Sequence, residues 1–208
     1  MNGRNRCHYK IPSGADNIRA FIAIELPGAV RKALGELIQR LRADGLPLRW
    51  VRPDNIHLTL KFLGDIPPGQ AAAVGDAVAA AVAGMAPFQL RAAGVGVFPS
   101  LARARVIWVG AAGGVESLNT LHQQIDGALK QLGFAGDERP FKGHLTLGRA
   151  KGRLDPERLK RSLKAAGAFD AGAFPVIRLT LFKSDLKPFG AVYTPLREMA
   201  FGEADSSE

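Results

Sequence analysis

One tetrapeptide occurs twice in this chain of 208 residues, at residues 57–60 and 144–147, and both copies are His-Leu-Thr-Leu. The chain contains only four histidines, so two chance copies would occur in fewer than about one such chain in a hundred. Each copy predicts a short strand, in which the histidine and threonine share one face and the leucines share the other. The sequence therefore predicts a cleft lined by two imidazoles and two hydroxyls, with the leucines in the core.

Around these copies, strand and helix patterns alternate, and hairpins interrupt the alternation. Helical spacing of apolar residues predicts helices over residues 27–42, 70–83, 115–132 and 155–165. Alternation and β-forming residues predict strands over residues 18–26, 49–51, 56–63, 88–98, 105–110, 143–149, 176–183 and 191–196. This order indicates an α+β or mixed α/β fold with antiparallel-rich sheets, and the matching context of the two copies suggests a duplicated half with pseudo-two-fold symmetry.

Length and composition indicate one globular domain, or two closely packed lobes, over residues 18–201. Residues 1–17 are expected to be a disordered or tag-like extension, and residues 202–208 a frayed acidic tail. The extension lacks the apolar centre of a secretion signal, no apolar run is long enough to span a membrane, and Cys7 is the only cysteine. These features favour a cytoplasmic protein with no membrane partner.

The formal net charge is +9. This excess favours a phosphate-rich partner, most simply nucleic acid, and the alternative interpretation is a generally basic surface without a specific partner. Two histidines suit in-line phosphoryl transfer, because one imidazole can act as base while the other acts as acid. Threonine hydroxyls can donate to phosphate oxygens. The histidines have no companions at metal-ligand spacing, and no nucleotide-binding motif is present, so neither a metal nor a cofactor is expected.

The two motifs and their flanks resemble the 2H phosphoesterase superfamily, and in particular the RNA 2′,3′-cyclic phosphodiesterases, also called 2′-5′ RNA ligases. The supporting stretches are residues 19–24, 50–64, 97–99, 105–110, 141–149, 181–184 and 193. The resemblance covers residues 18–200 and implies a two-lobed α+β fold with the motifs facing each other across a central cleft. It also implies metal-independent opening of RNA 2′,3′-cyclic phosphates to 2′-phosphomonoesters, with 2′-5′ ligation as the reverse reaction.

Carried over by motif, the resemblance makes His144 the base that activates water and His57 the acid that protonates the leaving 3′ oxygen. Thr59 and Thr146 would hold the phosphate, and Arg149 would contact it as the last residue of a His-x-Thr-x-x-Arg motif. Strict alternation places Arg149 on the opposite face, unless a bend or bulge next to it turns its side chain. The residue before the second motif is often proline in this family, and here it is Gly143.

The implied partner is an RNA end carrying a 2′,3′-cyclic phosphate or a 2′-phosphate, tRNA fragments among the possibilities, and a monomer suffices. The alternatives are a non-catalytic RNA-end binding module and a 2H enzyme for small cyclic nucleotides or 2′-5′ oligonucleotides. Outside the motifs, His122 is expected to be solvated, and Lys61 to continue the face of the first motif. The aromatic residues with a possible base-stacking role are Trp50, Phe62, Trp108 and Phe182.

Overall fold

The computed structural model describes residues 17–137, 140–188 and 190–202. Apart from residues 17 and 202, the predicted extension and tail lie outside the described residues. The described residues form four helices and nine strands. In chain order these are β1 Ile18–Glu25, α1 Gly28–Ala43, β2 Leu48–Trp50, β3 His57–Ile66, α2 Gln70–Val82, β4 Phe88–Phe98, β5 Val106–Ala112, α3 Val115–Gln131, β6 His144–Ala150, α4 Pro156–Ala166, β7 Asp170–Val176, β8 Arg178–Lys187 and β9 Gly190–Ala200.

The sheet is arranged around the two motif strands. Its strand order is β7-β4-β5-β6-β3-β1-β8-β9, and the short β2 pairs with β6 beside β3. All pairings between the described strands are antiparallel. Four strands lie on each side of the β3–β6 junction, so the predicted α+β fold, two lobes and pseudo-two-fold arrangement are confirmed.

The sequence patterns do not predict β7, because Gly172 and Pro175 interrupt its alternation. Proline lacks a backbone N–H and is tolerated in a sheet mainly on an edge strand. β7 is the last strand of its lobe and pairs with β4 alone. The edge position of β7 therefore explains why this segment forms a strand although its sequence pattern does not predict one.

The main core lies between the helices and one face of the sheet. The motif leucines Leu58, Leu60, Leu145 and Leu147 are all buried in it. The helices contribute apolar stripes, as in α1, where Val30, Leu34, Leu37, Ile38 and Leu41 are buried. None of the helices in the described ranges is both long enough and apolar enough to cross a membrane.

The opposite face of the sheet carries a separate, smaller aromatic cluster. Phe21, Ala23 and Phe182 are buried there, and Tyr193 packs against them. The residues of this cluster all come from strands, and the motif histidines lie on the same face. The fold thus separates a helix-covered face that stabilises the protein from a second face that is available for binding.

Candidate active site

The four motif side chains share the face opposite the core. Leu58 pairs with Leu145 across the β3–β6 junction, and both leucines are almost fully buried. Successive side chains of a strand alternate between faces. The histidines and threonines on either side of this pair therefore point away from the core, and all four side chains are only half-buried.

Each histidine is oriented by a hydrogen bond to the carbonyl two residues before it. His57 Nδ1 donates to the Asn55 carbonyl at 2.9 Å, and His144 Nδ1 donates to the Lys142 carbonyl at 2.8 Å. A carbonyl oxygen only accepts, so the proton of the neutral ring must be on Nδ1. Nε2 is thus the nitrogen that is left to accept or release a proton in the cleft.

Both motif strands contain a β-bulge at the last leucine of the tetrapeptide. In β3, Thr59 pairs with Ala23 and Lys61 with Ile22, so Leu60 is the extra residue. In β6, Thr146 pairs with Trp108 and Gly148 with Ile107, so Leu147 is the extra residue. A bulge shifts the alternation by one residue. The two motifs therefore share a backbone irregularity as well as a sequence.

The second bulge turns Arg149 onto the face of the motif. Arg149 pairs with Val106, which lies two residues from Trp108, the partner of Thr146. Arg149 therefore shares the face of Thr146, and its charge lowers the pKa of His57. The first bulge does the same for Phe62, which occupies the corresponding position of β3 and has a 63% exposed side chain near the Phe21 ring.

The same bulge places Lys61 on the core face, so the expectation that Lys61 continues the motif face is wrong. Its side chain is only 4% exposed, and Nζ contacts Asp126 Oδ1 of α3 at 2.6 Å and Asp137 Oδ1 at 2.9 Å. Burial alone would lower the pKa of Lys61, but these two carboxylates outweigh it and raise that pKa. Lys61 thus joins β3 to α3 and to the segment that leads into the second motif.

The prediction of a solvated His122 is also wrong. His122 is buried, its ring stacks on Phe141 at 4.1 Å between centroids, and Nε2 lies 3.0 Å from Asp137 Oδ2. The segment after α3 covers this histidine, and helical spacing within α3 does not reveal such a cover. His122 belongs to the Lys61 network on the core side, away from the motif histidines.

An aromatic pocket surrounds His57. The Phe21 ring stacks on it at 4.7 Å, and the Tyr193 ring meets it edge-on at 5.1 Å. Burial in this pocket lowers the pKa of His57 to about 4; the hydrogen bond to Asn55 opposes this shift and the Arg149 charge adds to it. Burial likewise raises the pKa of Tyr193, against the effect of Arg149. His57 is therefore neutral at pH 7 in the unliganded protein.

His144 has different neighbours. The Phe98 ring meets it edge-on at 5.0 Å, and Trp108 lies at 6.4 Å. Lys142 Nζ lies over the Trp108 ring at 4.7 Å from its centroid, a cation–π contact. The indole lies against Gly96, where a Cβ atom would collide with it. A glycine on β4 thus makes room for the indole that packs beside His144.

The loop before the first motif is anchored to the far end of its own lobe. Asn55 Nδ2 donates to the Ala191 carbonyl at 2.8 Å, and an Arg52 guanidinium N–H donates to the same oxygen at 3.2 Å. Asn55 thereby connects β9 to the carbonyl that orients His57. Sequence patterns do not indicate Asn55, Phe21, Tyr193 or Lys142, because each acts through contacts made only in the folded chain.

Of the aromatic residues with a possible base-stacking role, Phe62 alone is largely exposed. Trp50 packs against the main core, and Phe182 is buried in the small cluster with Phe21. Trp108 is half-buried beneath Lys142. The described residues contain no group of three or more side chains of the types that hold a metal ion. The site presents two imidazoles, two hydroxyls and a guanidinium, a set of groups suited to proton transfer and phosphate binding.

Comparison with known proteins agrees with this geometry. The model of the LigT-like phosphoesterase family matches the chain twice, over residues 24–108 and 109–193. The chain belongs to the LigT-like phosphoesterase family. The two matches meet at the middle of the chain, and each contains one motif. Each match also contains strands from both sides of the β3–β6 junction, so the two family units are intertwined in the sheet.

Relatives in this family share most of the chain. An RNA 2′,3′-cyclic phosphodiesterase of Methanothermobacter thermautotrophicus is 31% identical over 179 residues, which cover 86% of this chain and 96% of that protein. The Thermus thermophilus protein of the same name is 34% identical over 197 residues, covering 88% and 90%.

Solved structures of the family are also similar. The structure of TT0787 of Thermus thermophilus has a TM-score of 0.72 and 30% identity, over 88% of this chain and 98% of that chain. Escherichia coli LigT in complex with 3′-AMP has a TM-score of 0.68 and 26% identity, over 89% and 99%. The LigT-like phosphoesterase fold therefore extends over most of this chain and nearly all of the two solved chains.

Proposed function

We propose that this protein hydrolyses RNA 2′,3′-cyclic phosphate ends to 2′-phosphomonoesters without a metal ion. The observation that carries the proposal is that two Nδ1-anchored histidines, two threonines and Arg149 share one face. Relatives named RNA 2′,3′-cyclic phosphodiesterase support the choice of substrate. The net charge of +9 suits a polyanionic partner.

In the proposed reaction, His144 Nε2 removes a proton from water as the water oxygen attacks phosphorus. The bond from phosphorus to the 3′ oxygen breaks, and protonated His57 gives its Nε2 proton to that oxygen. The products are a 2′-phosphomonoester and a 3′-hydroxyl. Thr59 and Thr146 donate hydrogen bonds to the non-bridging oxygens, and the Arg149 guanidinium balances their charge. The proton leaves His144 afterwards and is replaced on His57 from solvent.

The acid role of His57 requires that substrate binding change its protonation. At a pKa of about 4 the ring is neutral in the unliganded protein. A phosphodiester anion placed between His57 and Arg149 favours the charged imidazolium and offsets the repulsion from the guanidinium. The proton on His57 is therefore acquired together with the anionic substrate, and the empty site stays uncharged at that position.

The partner in this proposal is an RNA end, with tRNA fragments as one source, and the protein acts as a cytoplasmic monomer. Both histidines come from the same chain, so no second copy is needed to complete the site. The reverse reaction joins a cyclic end to a 5′-hydroxyl through a 2′-5′ linkage. Hydrolysis predominates because water is in large excess over RNA 5′ ends.

The direct test is turnover of a short RNA with a 2′,3′-cyclic phosphate end in the presence of EDTA. The wild-type protein is compared with His57→Ala, His144→Ala and, as a matched control outside the cleft, His122→Ala. Each motif variant should lose a factor of about 10² to 10⁴ in kcat, the usual contribution of a general acid or base. A kcat close to that of the wild-type protein in either motif variant, or activity that EDTA abolishes, contradicts the proposal.

A further inference from the structure

A separate cavity lies at the end of the second motif strand. It has a volume of about 500 Å³ and lies where the turn between β4 and β5 meets the segment after β6. Three arginines line it, Arg103, Arg105 and Arg153, together with apolar residues such as Pro99 and Leu154. None of the lining residues is acidic.

Two backbone hydrogen bonds connect this cavity to the motif residues. The Arg105 amide donates to the Phe98 carbonyl at 2.7 Å, and the Ala150 amide donates to the Arg105 carbonyl at 2.8 Å. The Phe98 ring contacts His144, and Ala150 follows Arg149 in β6. The cavity therefore lies beside the end of β6 that carries Arg149.

The charge of this region is uncompensated. Arg103, Arg105 and Arg153 are exposed, and none of them forms a salt bridge with another described residue. Arg49 of β2 pairs directly with Arg149 and adds a further guanidinium at the same end of β6. Like charges on paired strands repel. An anion that binds among these arginines offsets their mutual repulsion.

We propose that this cavity, the arginine pocket, binds the phosphodiester backbone of the RNA that precedes the cyclic end. This inference rests on the proposed function. A cyclic phosphate lies at the 3′ end of its RNA, so the rest of the chain must leave the site over a neighbouring surface. Guanidinium groups bind phosphate through paired hydrogen bonds. The arginine pocket makes the protein an enzyme for RNA chains rather than for free cyclic nucleotides.

The kinetic test compares two substrates, 2′,3′-cyclic AMP and a ten-nucleotide RNA ending in the cyclic phosphate. The pocket variant carries Arg103→Ala, Arg105→Ala and Arg153→Ala together. The matched control removes three exposed cations from α1 on the helix-covered side, through Lys32→Ala, Arg40→Ala and Arg42→Ala. Both variants lose the same net charge, and thermal melting checks that both remain folded.

In the pocket variant, KM for the RNA should rise about tenfold or more. Its kcat/KM for 2′,3′-cyclic AMP should stay within about twofold of that of the wild type. The control variant should leave the RNA preference nearly intact. Equal losses on the two substrates, or equal losses in the two variants, overturn the inference. Wild-type protein that cleaves neither substrate contradicts the proposed function itself.

A binding measurement tests the arginine pocket even without turnover. Fluorescence anisotropy with the same RNA ending in a 2′-phosphate gives the affinity at several salt concentrations. Removing three contacts to single-stranded phosphates should reduce the slope of log K against log salt by about 2. A slope equal to that of the wild-type protein overturns the proposed role of the arginine pocket.

Discussion

At the scale of single residues, the two motif histidines have the same orientation but different surroundings. Each donates its Nδ1 proton to the carbonyl two residues earlier. His57 is packed between Phe21 and Tyr193, and the positive charge of Arg149 lowers its pKa further. The difference lies in the residues around each histidine rather than in the motifs, and burial among its neighbours lowers the pKa of His57.

Replacing Arg149 by glutamine should raise the pKa of His57 above about 4, because it removes a cation that disfavours the imidazolium. The imidazole titration followed by NMR measures this pKa. Adding inorganic phosphate should raise the pKa of His57 in the wild-type protein, and raise it less in the variant.

Loss of the phosphate contact in Arg149→Gln should also lower kcat/KM about 10²-fold or more. Arg178→Gln, at an arginine that faces Glu198, is the control, and an unchanged His57 pKa in Arg149→Gln contradicts this account.

The lowered pKa of His57 also predicts how stability depends on pH. In the folded protein this ring stays neutral down to about pH 4, whereas in the unfolded chain it binds a proton below about pH 6.5. The unfolded state therefore binds more protons between these values, and the free energy of unfolding falls as pH falls. Between pH 7 and pH 5 this contribution should amount to about 1 to 2 kcal/mol.

Chemical denaturation of the wild type and of His57→Asn at pH 7 and pH 5 measures that contribution. Asparagine does not titrate in this range. The free energy of unfolding of the wild type minus that of the variant should therefore be smaller at pH 5 than at pH 7. The other histidines are common to both proteins and cancel in the comparison. If the free energy of unfolding of the wild type minus that of the variant stays constant or grows towards pH 5, His57 is not held neutral in the folded state.

At the scale of elements, strand alternation predicts the motif faces and then fails at a defined point. It correctly separates the motif histidines and threonines from the buried leucines. After Leu60 and Leu147 it assigns Lys61 and Arg149 to the wrong faces, because each strand bulges there. A bulge is a property of pairing with the neighbouring strand, so a single strand's pattern does not reveal it.

The buried Lys61 network gives a prediction at this scale. Lys61→Met keeps most of the apolar side chain and removes the cation that Asp126 and Asp137 share. These carboxylates retain Lys130 and His122 as partners, so the loss should be moderate, about 1 to 3 kcal/mol in the free energy of unfolding. Chemical denaturation measures this loss, with Lys32→Met at an exposed position of α1 as the control. Equal stabilities of the two variants would mean that the network does not stabilise the protein.

At the scale of the whole molecule, the duplicated motif predicts the architecture. The pseudo-two-fold sheet and the central position of β3 and β6 follow from two matching strand contexts and their apolar faces. The aromatic pocket of His57 does not follow, because Phe21 lies on β1 whereas Phe182 and Tyr193 lie on β8 and β9, near the other end of the chain. The cover over His122 is likewise a tertiary contact. Local sequence patterns thus predict the sheet architecture and the candidate site residues. The contacts around those residues are seen only in the folded structure.

The position of the phosphate in the product shows which histidine acts as the acid and which as the base. Wild-type protein is incubated in EDTA with an RNA ending in a 2′,3′-cyclic phosphate, and ³¹P NMR distinguishes the two phosphomonoesters. We expect a 2′-phosphate, because in the proposed reaction His57 protonates the 3′ oxygen while His144 activates water on the other side of phosphorus. A 3′-phosphate would contradict these acid and base roles, and an unreacted cyclic phosphate would contradict the proposed activity.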